Sequence, residues 1–288
     1  MVNPKMFITE CPRDAMQGIQ AFIPTEVKIE YLNLLLECGF DRLDFGSFVS
    51  PKAIPQMRDT EEVLLNLNPS ETELLAIVAN TKGVDQALQF NRVTFVGFPF
   101  SISEQFQIRN TNATILQSRE TLKVIAKQVS GAGKKLQVYL SMGFGNPYGD
   151  FWSSSLVLDQ ARYLSEELGI EHLALSDTIG CASPSQIEEI FSLVHSNLPD
   201  VKLGLHLHAT PNNAENLVLA SVAAGCQHMD SALLGFGGCP MAKDDLTENI
   251  DTETILRICI SKGIQTNINE KAKSQAINMA NNIFNTYK

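Results

Sequence analysis

The chain has 288 residues, of which 22 are Lys or Arg and 32 are Asp or Glu, so its formal net charge is −10. Hydrophobic residues make up 44% of the sequence and charged residues 19%, a globular composition that excludes intrinsic disorder and collagen-like repeats. The acidic balance argues against nucleic acid and against an anionic membrane as partners, because both attract clustered basic residues. It leaves room for a local basic pocket that binds a small anion.

The cysteines and the apolar runs predict the cellular compartment. The six cysteines form no C-x-x-C pair, and in a chain of this size they do not indicate a disulfide framework. No apolar run reaches the roughly 20 residues of a membrane helix, and the first residues lack the apolar segment of a secretory signal. We therefore expect a cytoplasmic protein.

Short β-type segments alternate with longer helical segments along almost the whole chain. Thr25 and Ser183 can cap the starts of helices, and Gly39, Gly169 and Gly263 can end them. The predicted strands are 6–9, 42–45, 73–78, 92–98, 136–142, 172–177, 201–208 and 228–233, and the predicted helices are 24–37, 59–66, 83–90, 114–130, 154–168, 183–197, 214–224, 252–262 and 269–284.

Eight strand–helix units of this spacing predict an α/β fold, a single (β/α)8 TIM barrel with an additional C-terminal helix. The strands are mostly apolar on both sides, as buried parallel strands are. The barrel would cover about 5–265 and the C-terminal helical segment about 266–288. A doubly wound open sheet is the alternative. No glycine-rich phosphate-binding motif follows a strand, so the sequence does not predict nucleotide binding by that route.

Two histidines near the end of the seventh predicted strand give the sharpest local signal. Residues i and i+2 of a strand point to the same face, so His206 and His208 would enter one pocket, where imidazoles can chelate a metal. Asp14, after the first strand, would complete a mixed site suited to Mg²⁺, Mn²⁺ or Zn²⁺. The alternatives are two core histidines satisfied by hydrogen bonds, and a surface pair of Asp14 with Arg13.

Three more polar residues follow predicted strands, and each has a structural alternative. Asp44 ends an apolar strand, so it needs a partner, which a structural ion pair would supply. Asp177 opens the turn DTIG and either stabilises that turn or works in the site. Cys239 lies in the glycine-rich segment GFGGCPM, where a thiol on a mobile loop can act as acid, base or nucleophile, or have no role.

Five segments, ECPRDAMQ, SFVSPKAIPQM, LSDTIG, LHLHAT and GFGGCP, occur in this order over nearly the whole chain. Together they resemble the 3-hydroxy-3-methylglutaryl-CoA lyase family, a group of TIM-barrel metallolyases that make and break carbon–carbon bonds. SFVSPKAIPQM is the most specific segment, because it separates these lyases from the related isopropylmalate and citramalate synthases. The GGCP loop is the second discriminator.

The resemblance implies metal-dependent retro-Claisen cleavage of 3-hydroxy-3-methylglutaryl-CoA into acetyl-CoA and acetoacetate. It thereby implies roles in leucine degradation and ketone body metabolism. Mg²⁺ or Mn²⁺ is favoured as the divalent cofactor, with Zn²⁺ as the alternative. By role, the matching residues are Asp14, His206, His208 and Asn249 for the metal, Arg13, Asp177, Cys239 and Asp44 for catalysis, and Gln17 and Arg13 for the substrate.

The implied substrate is an acyl-CoA, and the chemistry explains the residue types. A guanidinium such as Arg13 can stabilise the enolate charge on the departing thioester oxygen, and a loop thiol such as Cys239 can protonate the enolate carbon. Lys52 is the candidate contact of the CoA phosphates, with a surface lysine as its alternative. Apolar residues of the last helix pack on the barrel or on a second subunit, and we expect a homodimer or a higher homo-oligomer.

The sequence departs from the family pattern around the substrate site. Asp44 stands where the family has Glu, Cys11 where it has Gly, Ala209 where Asp is usual, and Asn146 where many lyases have Cys. The loop after GGCP reads MAKDDLTEN, so aligning Asn249 with the family ligand needs a one-residue insertion. Two further hypotheses therefore stay open: an enzyme for another 3-hydroxyacyl-CoA or a 2-keto acid, and a non-catalytic barrel that binds a metal or another ligand.

Overall fold

The computed structural model describes residues 4–238 and 247–287. Its central feature is a closed barrel of eight parallel strands. β1 pairs with both β2 and β8, and β6–β7 and β7–β8 complete the ring, so the TIM-barrel prediction is confirmed and the open sheet is wrong. The barrel strands are β1 (Phe7–Glu10), β2 (Arg42–Ser47), β3 (Glu73–Ile77), β4 (Val93–Ser101), β5 (Lys135–Ser141), β6 (His172–Asp177), β7 (Lys202–Ala209) and β8 (His228–Ser231).

Helices surround the barrel, and a ninth strand joins it from outside. β9 (Glu248–Asn249) pairs antiparallel with β7. None of the described helices is long and apolar enough to cross a membrane. The helices are α1 (Pro12–Gln17), α2 (Thr25–Glu37), α3 (Thr60–Leu65), α4 (Thr81–Ala87), α5 (Glu104–Thr111), α6 (Ile115–Gly131), α7 (Ser154–Arg162), α8 (Pro184–Asn197), α9 (Ala214–Ala223), α10 (Thr252–Lys262) and α11 (Glu270–Thr286).

α11 is the expected C-terminal helix, and it packs against α2. Three features of the other helices differ from the sequence prediction. The prediction missed α1, which has six residues and starts after Cys11 without a side-chain cap, and α5, which has eight and is too short for a clear apolar repeat. A π-helical turn follows α7 and completes the single helix that the sequence predicts there. Other boundaries move by a few residues.

Alternating residues along the strands form two apolar layers. Leu75, Phe95 and Ala174 belong to a small cluster inside the barrel, whereas Leu173 and Leu175, the chain neighbours of Ala174, pack in the large core between strands and helices. This period of two is the rule for barrels. It decides which strand-end residues face the central cavity and which face the helices.

Glu10 is a carboxyl group buried in the outer layer. It follows Ile8 on the same face of β1 and is 0% exposed. It accepts hydrogen bonds from the backbone N–H of Leu233 at 2.6 Å and from the hydroxyl of Thr252 at 2.7 Å. Burial raises the pKa of Glu10 to about 8, although both hydrogen bonds oppose this shift. The side chain thus ties β1 to the turn after β8 and to the start of α10.

Replacing Glu10 with glutamine should stabilise the fold at alkaline pH. The folded protein keeps a proton that the unfolded chain loses above its ordinary pKa of 4.5, so native stability falls as the pH rises from there to about 8. Glutamine does not ionise and keeps an acceptor for the N–H of Leu233. In urea unfolding we expect the free energy of unfolding of Glu10→Gln to be higher than that of the native protein. The difference should be on the order of 3 kcal/mol at pH 8 and much less at pH 5.

The matched control for this experiment is Glu188→Gln, on the exposed side of α8. It should leave the difference in the free energy of unfolding between pH 5 and pH 8 unchanged, because an exposed carboxylate has similar surroundings in the folded and the unfolded state. An equal stability change at both pH values for Glu10→Gln would contradict the expectation.

Candidate active site

A cavity of about 450 Å³ opens at the carboxyl ends of the barrel strands, the face on which TIM barrels carry their sites. Five of the residues singled out in the sequence line it: Arg13, Asp14, Gln17, His206 and His208. The first three lie on α1, directly after β1, and the two histidines share the inner face of β7. The structure therefore brings the predicted first-strand and seventh-strand residues together.

Asp14, His206 and His208 form a set of potential metal ligands. Their ligand atoms all lie within 4.8 Å of one another. His208 Nδ1 lies 3.1 Å from the backbone oxygen of Thr178, so Nδ1 carries the proton and donates. His208 Nε2 is buried, finds no hydrogen-bond partner among the described residues, and lies 3.9 Å from Asp14 Oδ2. A buried unpartnered nitrogen is costly, and a cation would satisfy it, so this donor set fits a divalent metal.

Asp230 on β8 orients the second imidazole. Its Oδ2 lies 3.0 Å from His206 Nδ1. Burial alone would lower the pKa of His206, but the hydrogen bond and charge of Asp230, together with the charge of Asp14, raise it. With Nδ1 held as the donor, Nε2 carries the lone pair, which is the arrangement common at metal-binding histidines. The sequence analysis missed Asp230, although a carboxylate in the short segment HMDSAL was a usable signal.

Asn249 reaches the same cluster from β9. It is the pairing partner of His208, and its Nδ2 donates hydrogen bonds to Asp14 Oδ2 at 2.8 Å and to the backbone oxygen of Phe236 at 3.0 Å. An amide nitrogen does not ligate a cation, so only Asn249 Oδ1 can coordinate. All four predicted ligands are therefore neighbours.

Arg13 is held in a fixed position beside this cluster. Its Nε donates to Asp44 Oδ2 at 3.0 Å, and its Nη1 donates to Asp14 Oδ1 at 3.0 Å and to Gln17 Oε1 at 2.8 Å. Nη2 donates to Asp44 as well. These contacts occupy four of the five N–H groups of a guanidinium and leave one, on Nη2, for a ligand in the cavity. The ion pair that the sequence analysis gave as the alternative for Asp44 is thus present.

The two carboxylates bonded to Arg13 differ in their proton affinity. Burial raises the pKa of Asp44 to about 6, although the charge and hydrogen bonds of Arg13 oppose this. Burial also acts to raise the pKa of Asp14, but the charge of Arg13 and the two histidines outweigh it, and the pKa lies well below its ordinary value. Asp14 is therefore ionised at neutral pH, as a metal ligand must be.

Five predicted residues are not among those that line the described cavity. Asp44 and Asn249 lie behind it, bonded to the lining residues Arg13 and Asp14, and the other three are more distant from the cluster or outside the described residues. Asp177 faces away from the cavity, and its carboxylate accepts hydrogen bonds from the backbone N–H groups of Cys181 at 3.0 Å and Ala182 at 2.7 Å, which stabilise the turn after β6. Lys52 is exposed in the loop after β2, next to lining residue Ala53. Cys239 lies outside the described residues. Their functional roles stay predictions.

Several lining residues were not predicted. Tyr139 and Ser141 on β5 and Ser176 on β6 line the cavity because alternate strand residues point inward. The same alternation places Asp177 on the outer face. This period of two was therefore the sequence signal that could have separated inward-facing from outward-facing residues. Arg58 also lines the cavity, and its guanidinium lies 3.4 Å from the ring centre of Phe22.

Known proteins match this chain over most of its length. Hydroxymethylglutaryl-CoA lyase of Bacillus subtilis is 32% identical over 270 residues, which cover 92% of this chain and 88% of that protein. An HMG-CoA lyase from Acinetobacter baumannii, solved with coenzyme A and 3-methylmalate, has a TM-score of 0.90 and 32% identity, covering 98% of this chain and 92% of that one. The B. subtilis HMG-CoA lyase structure has a TM-score of 0.90 and 30% identity, covering 100% and 95%.

The family model described as HMGL-like matches residues 4–280. The match spans the barrel, the cavity residues on α1 and β7, and most of α11. The resemblance noted in the sequence is therefore confirmed, and this chain belongs to the HMGL-like family and is a lyase.

Proposed function

We propose that this protein is a divalent-metal-dependent carbon–carbon lyase that cleaves 3-hydroxy-3-methylglutaryl-CoA into acetyl-CoA and acetoacetate. The observation that carries the proposal is the buried, unpartnered Nε2 of His208, which faces Asp14 in a cavity that also contains a fixed guanidinium. The relative from A. baumannii was solved with coenzyme A and 3-methylmalate, which supports an acyl-CoA substrate.

The metal would be held by Asp14, His206 and His208, with Asn249 Oδ1 as a fourth candidate ligand. When bound, a divalent cation acts as a Lewis acid that makes a substrate hydroxyl more acidic. Asp230 contributes by fixing the ring of His206, and the backbone oxygen of Thr178 does the same for His208. The chain thus presents a preorganised set of donors.

Arg13 would bind the thioester oxygen of the substrate through its remaining Nη2 hydrogen. Cleavage passes the proton of the tertiary hydroxyl to solvent, breaks the carbon–carbon bond, and leaves its electron pair on the acetyl-CoA enolate, whose negative charge lies largely on that oxygen. A fixed cation there stabilises the transition state more than the neutral thioester. Asp44 and Gln17 keep the guanidinium from turning away. The enolate carbon then takes a proton, a role we assign to Cys239.

The mouth of the cavity supplies a cation for the anionic part of CoA. Arg58 is exposed there, stacked on Phe22, and it lines the cavity, whereas Lys52 is not among the lining residues that the structure describes. A guanidinium binds phosphate oxygens in a bidentate manner. We therefore place the phosphate contact at Arg58 in preference to Lys52.

An end-product assay tests the activity. Protein loaded with Mg²⁺ or Mn²⁺ should release acetyl-CoA and acetoacetate in equal amounts, lose activity with a chelator, and regain it when either metal is added back. The cleavage of other 3-hydroxyacyl-CoA thioesters, or of 2-keto acids without CoA, should be much slower. No release while bound metal is demonstrated would contradict the substrate assignment, and a faster alternative substrate would favour the related-enzyme hypothesis that Asp44 motivates.

Three broader statements belong to the same proposal. We propose a cytoplasmic enzyme of leucine degradation and ketone body metabolism, a single barrel domain, and a homodimer or larger homo-oligomer. Light scattering coupled to size-exclusion chromatography measures the last of these directly, and a monomer at micromolar concentration would contradict it.

A further inference from the structure

A second set of ligand atoms lies on the Nδ1 side of His206. Cys11, His206 and Asp230 each offer one atom, and the three atoms lie within 4.8 Å of one another. Asp230 Oδ2 is 3.0 Å from His206 Nδ1, and Cys11 Sγ has a weak contact of 3.7 Å with the backbone oxygen of Thr9. The set combines a thiol, an imidazole and a carboxylate, whereas the first set of ligands contains no sulfur.

The spacing of the imidazole nitrogen and the carboxylate oxygen suits a tetrahedral cation of the zinc type. Zinc bonds of about 2.0 Å to nitrogen and oxygen and about 2.3 Å to sulfur place tetrahedral ligands roughly 3.3 to 3.5 Å apart. The observed separation of 3.0 Å between His206 Nδ1 and Asp230 Oδ2 needs a shift of only a few tenths of an ångström. Thiolate ligands select soft cations such as Zn²⁺ or Cd²⁺ over Mg²⁺.

We propose that Cys11, His206 Nδ1 and Asp230 form a binding site for a thiophilic divalent cation, and that its occupation competes with the cation held by Asp14 and His208. Binding replaces the S–H bond of Cys11 by a sulfur–metal bond and releases one proton to solvent, with no change of oxidation state. A cation can enter because His206 lines the cavity and the Asp230 side chain is 12% exposed.

The two sites exclude each other through the shared imidazole. A neutral imidazole has one nitrogen with a lone pair and one with a proton. When Nδ1 of His206 binds the thiophilic cation, the proton resides on Nε2, so Nε2 no longer serves the site of Asp14 and His208. The soft cation also takes the place of the Nδ1 hydrogen bond to Asp230 that orients the ring.

The local charge favours one dication rather than two. Asp14, Asp44 and Asp230 lie near the guanidinium of Arg13, and Asp44 interacts electrostatically with Arg13 and with both other carboxylates. With three carboxylates and the Cys11 thiolate charged, the group carries three excess negative charges, of which one dication neutralises two. A second dication would leave excess positive charge in a buried region, which costs free energy.

Cadmium titration tests the site without any need for activity. Cd²⁺ bound to a thiolate absorbs in the ultraviolet, so the native protein in excess Mg²⁺ should show this band and should bind one equivalent of Cd²⁺ more than Cys11→Ser does. The control Cys38→Ser removes another buried free cysteine, which packs in the hydrophobic core and donates to the backbone oxygen of Leu34, and should retain the native titration. An identical titration of Cys11→Ser and the native protein would overturn the proposal.

A second measurement connects the site to catalysis and thus rests on the proposed function. Zn²⁺ should inhibit Mg²⁺-supported turnover, higher Mg²⁺ should raise the Zn²⁺ concentration needed, and Cys11→Ser should tolerate at least about tenfold more Zn²⁺, a difference of about 1.4 kcal/mol. Equal inhibition of both proteins would overturn the competition. Absence of turnover in both, with the cadmium difference intact, would refute the proposed function alone.

Circular dichroism of Cys11→Ser checks that the variant folds. Should it unfold, Asp230→Asn provides a second route to the same answer, because an amide is a poor ligand for a dication and keeps the size of the side chain. Asp230→Asn should also bind one equivalent of cadmium less than the native protein. An unchanged cadmium titration in Asp230→Asn would overturn the assignment of that residue.

Discussion

Arg13→Met is expected to lower kcat by about 10²- to 10³-fold, because it removes a preorganised donor from the oxygen on which charge develops. The same change should also destabilise the fold. Asp44 is 1% exposed and receives its hydrogen bonds from Arg13, so the variant buries a carboxylate without its partner. Breaking a buried ion pair in this way costs about 3 to 5 kcal/mol. Steady-state release of acetyl-CoA and urea unfolding measure the two effects.

A double variant separates these two consequences. In Arg13→Met/Asp44→Asn the buried carboxylate is gone, so most of the lost stability should return while kcat stays low. Arg13→Lys keeps the charge but loses the forked donor geometry, so it should retain more stability than Arg13→Met and still be slow. If the double variant recovered activity together with stability, Arg13 would be a structural residue and its assigned role would be wrong.

The ion pair of Arg13 with Asp44 also predicts how the stability of Arg13→Met depends on pH. Burial already raises the pKa of Asp44 to about 6 in the native protein, against the opposing charge of Arg13. Without Arg13 the carboxyl holds its proton to higher pH. Because the folded state then binds more protons than the unfolded chain, the variant should lose stability as the pH rises through the neutral range. The double variant, which lacks the Asp44 carboxyl, should lose only the smaller amount of stability that Glu10 contributes over this range.

Local periodicity carried most of the fold prediction. Alternating strands and helices predicted the eight-stranded barrel, and the i, i+2 spacing of His206 and His208 placed both on one face, where the structure has them. The same rule, applied to β6, would have placed Asp177 on the outer face beside Leu173 and Leu175. The outward position of Asp177 was therefore predictable from the sequence, although it was not predicted.

Other features depend on contacts between distant segments, which a local pattern does not encode. Glu10 has its partners in Leu233 and Thr252, more than 200 positions away, because the barrel closes between β1 and β8. Asn249 reaches Asp14 only because the two-residue strand β9 pairs with β7. Such short elements have no period of their own, so the family resemblance, rather than periodicity, was the means of finding Asn249.

His208→Ala is expected to abolish retention of the divalent metal. It removes the buried Nε2 that faces Asp14, and with it one of two nitrogen ligands of the predicted site. After loading with Mn²⁺ and gel filtration, the native protein should keep about one equivalent of metal and the variant almost none. The matched control His195→Ala alters an exposed histidine on α8 and should leave metal retention unchanged.

Thermal unfolding measures metal binding by His208→Ala without an activity assay and without gel filtration. A ligand that binds only the folded state stabilises it by about 2.7 kcal/mol at one hundred times its Kd. Mn²⁺ at that concentration should therefore raise the Tm of the native protein and of His195→Ala, but not that of His208→Ala. An equal rise in Tm for His208→Ala would show that the metal binds elsewhere, and the site formed by Asp14, His206 and His208 would have to be abandoned.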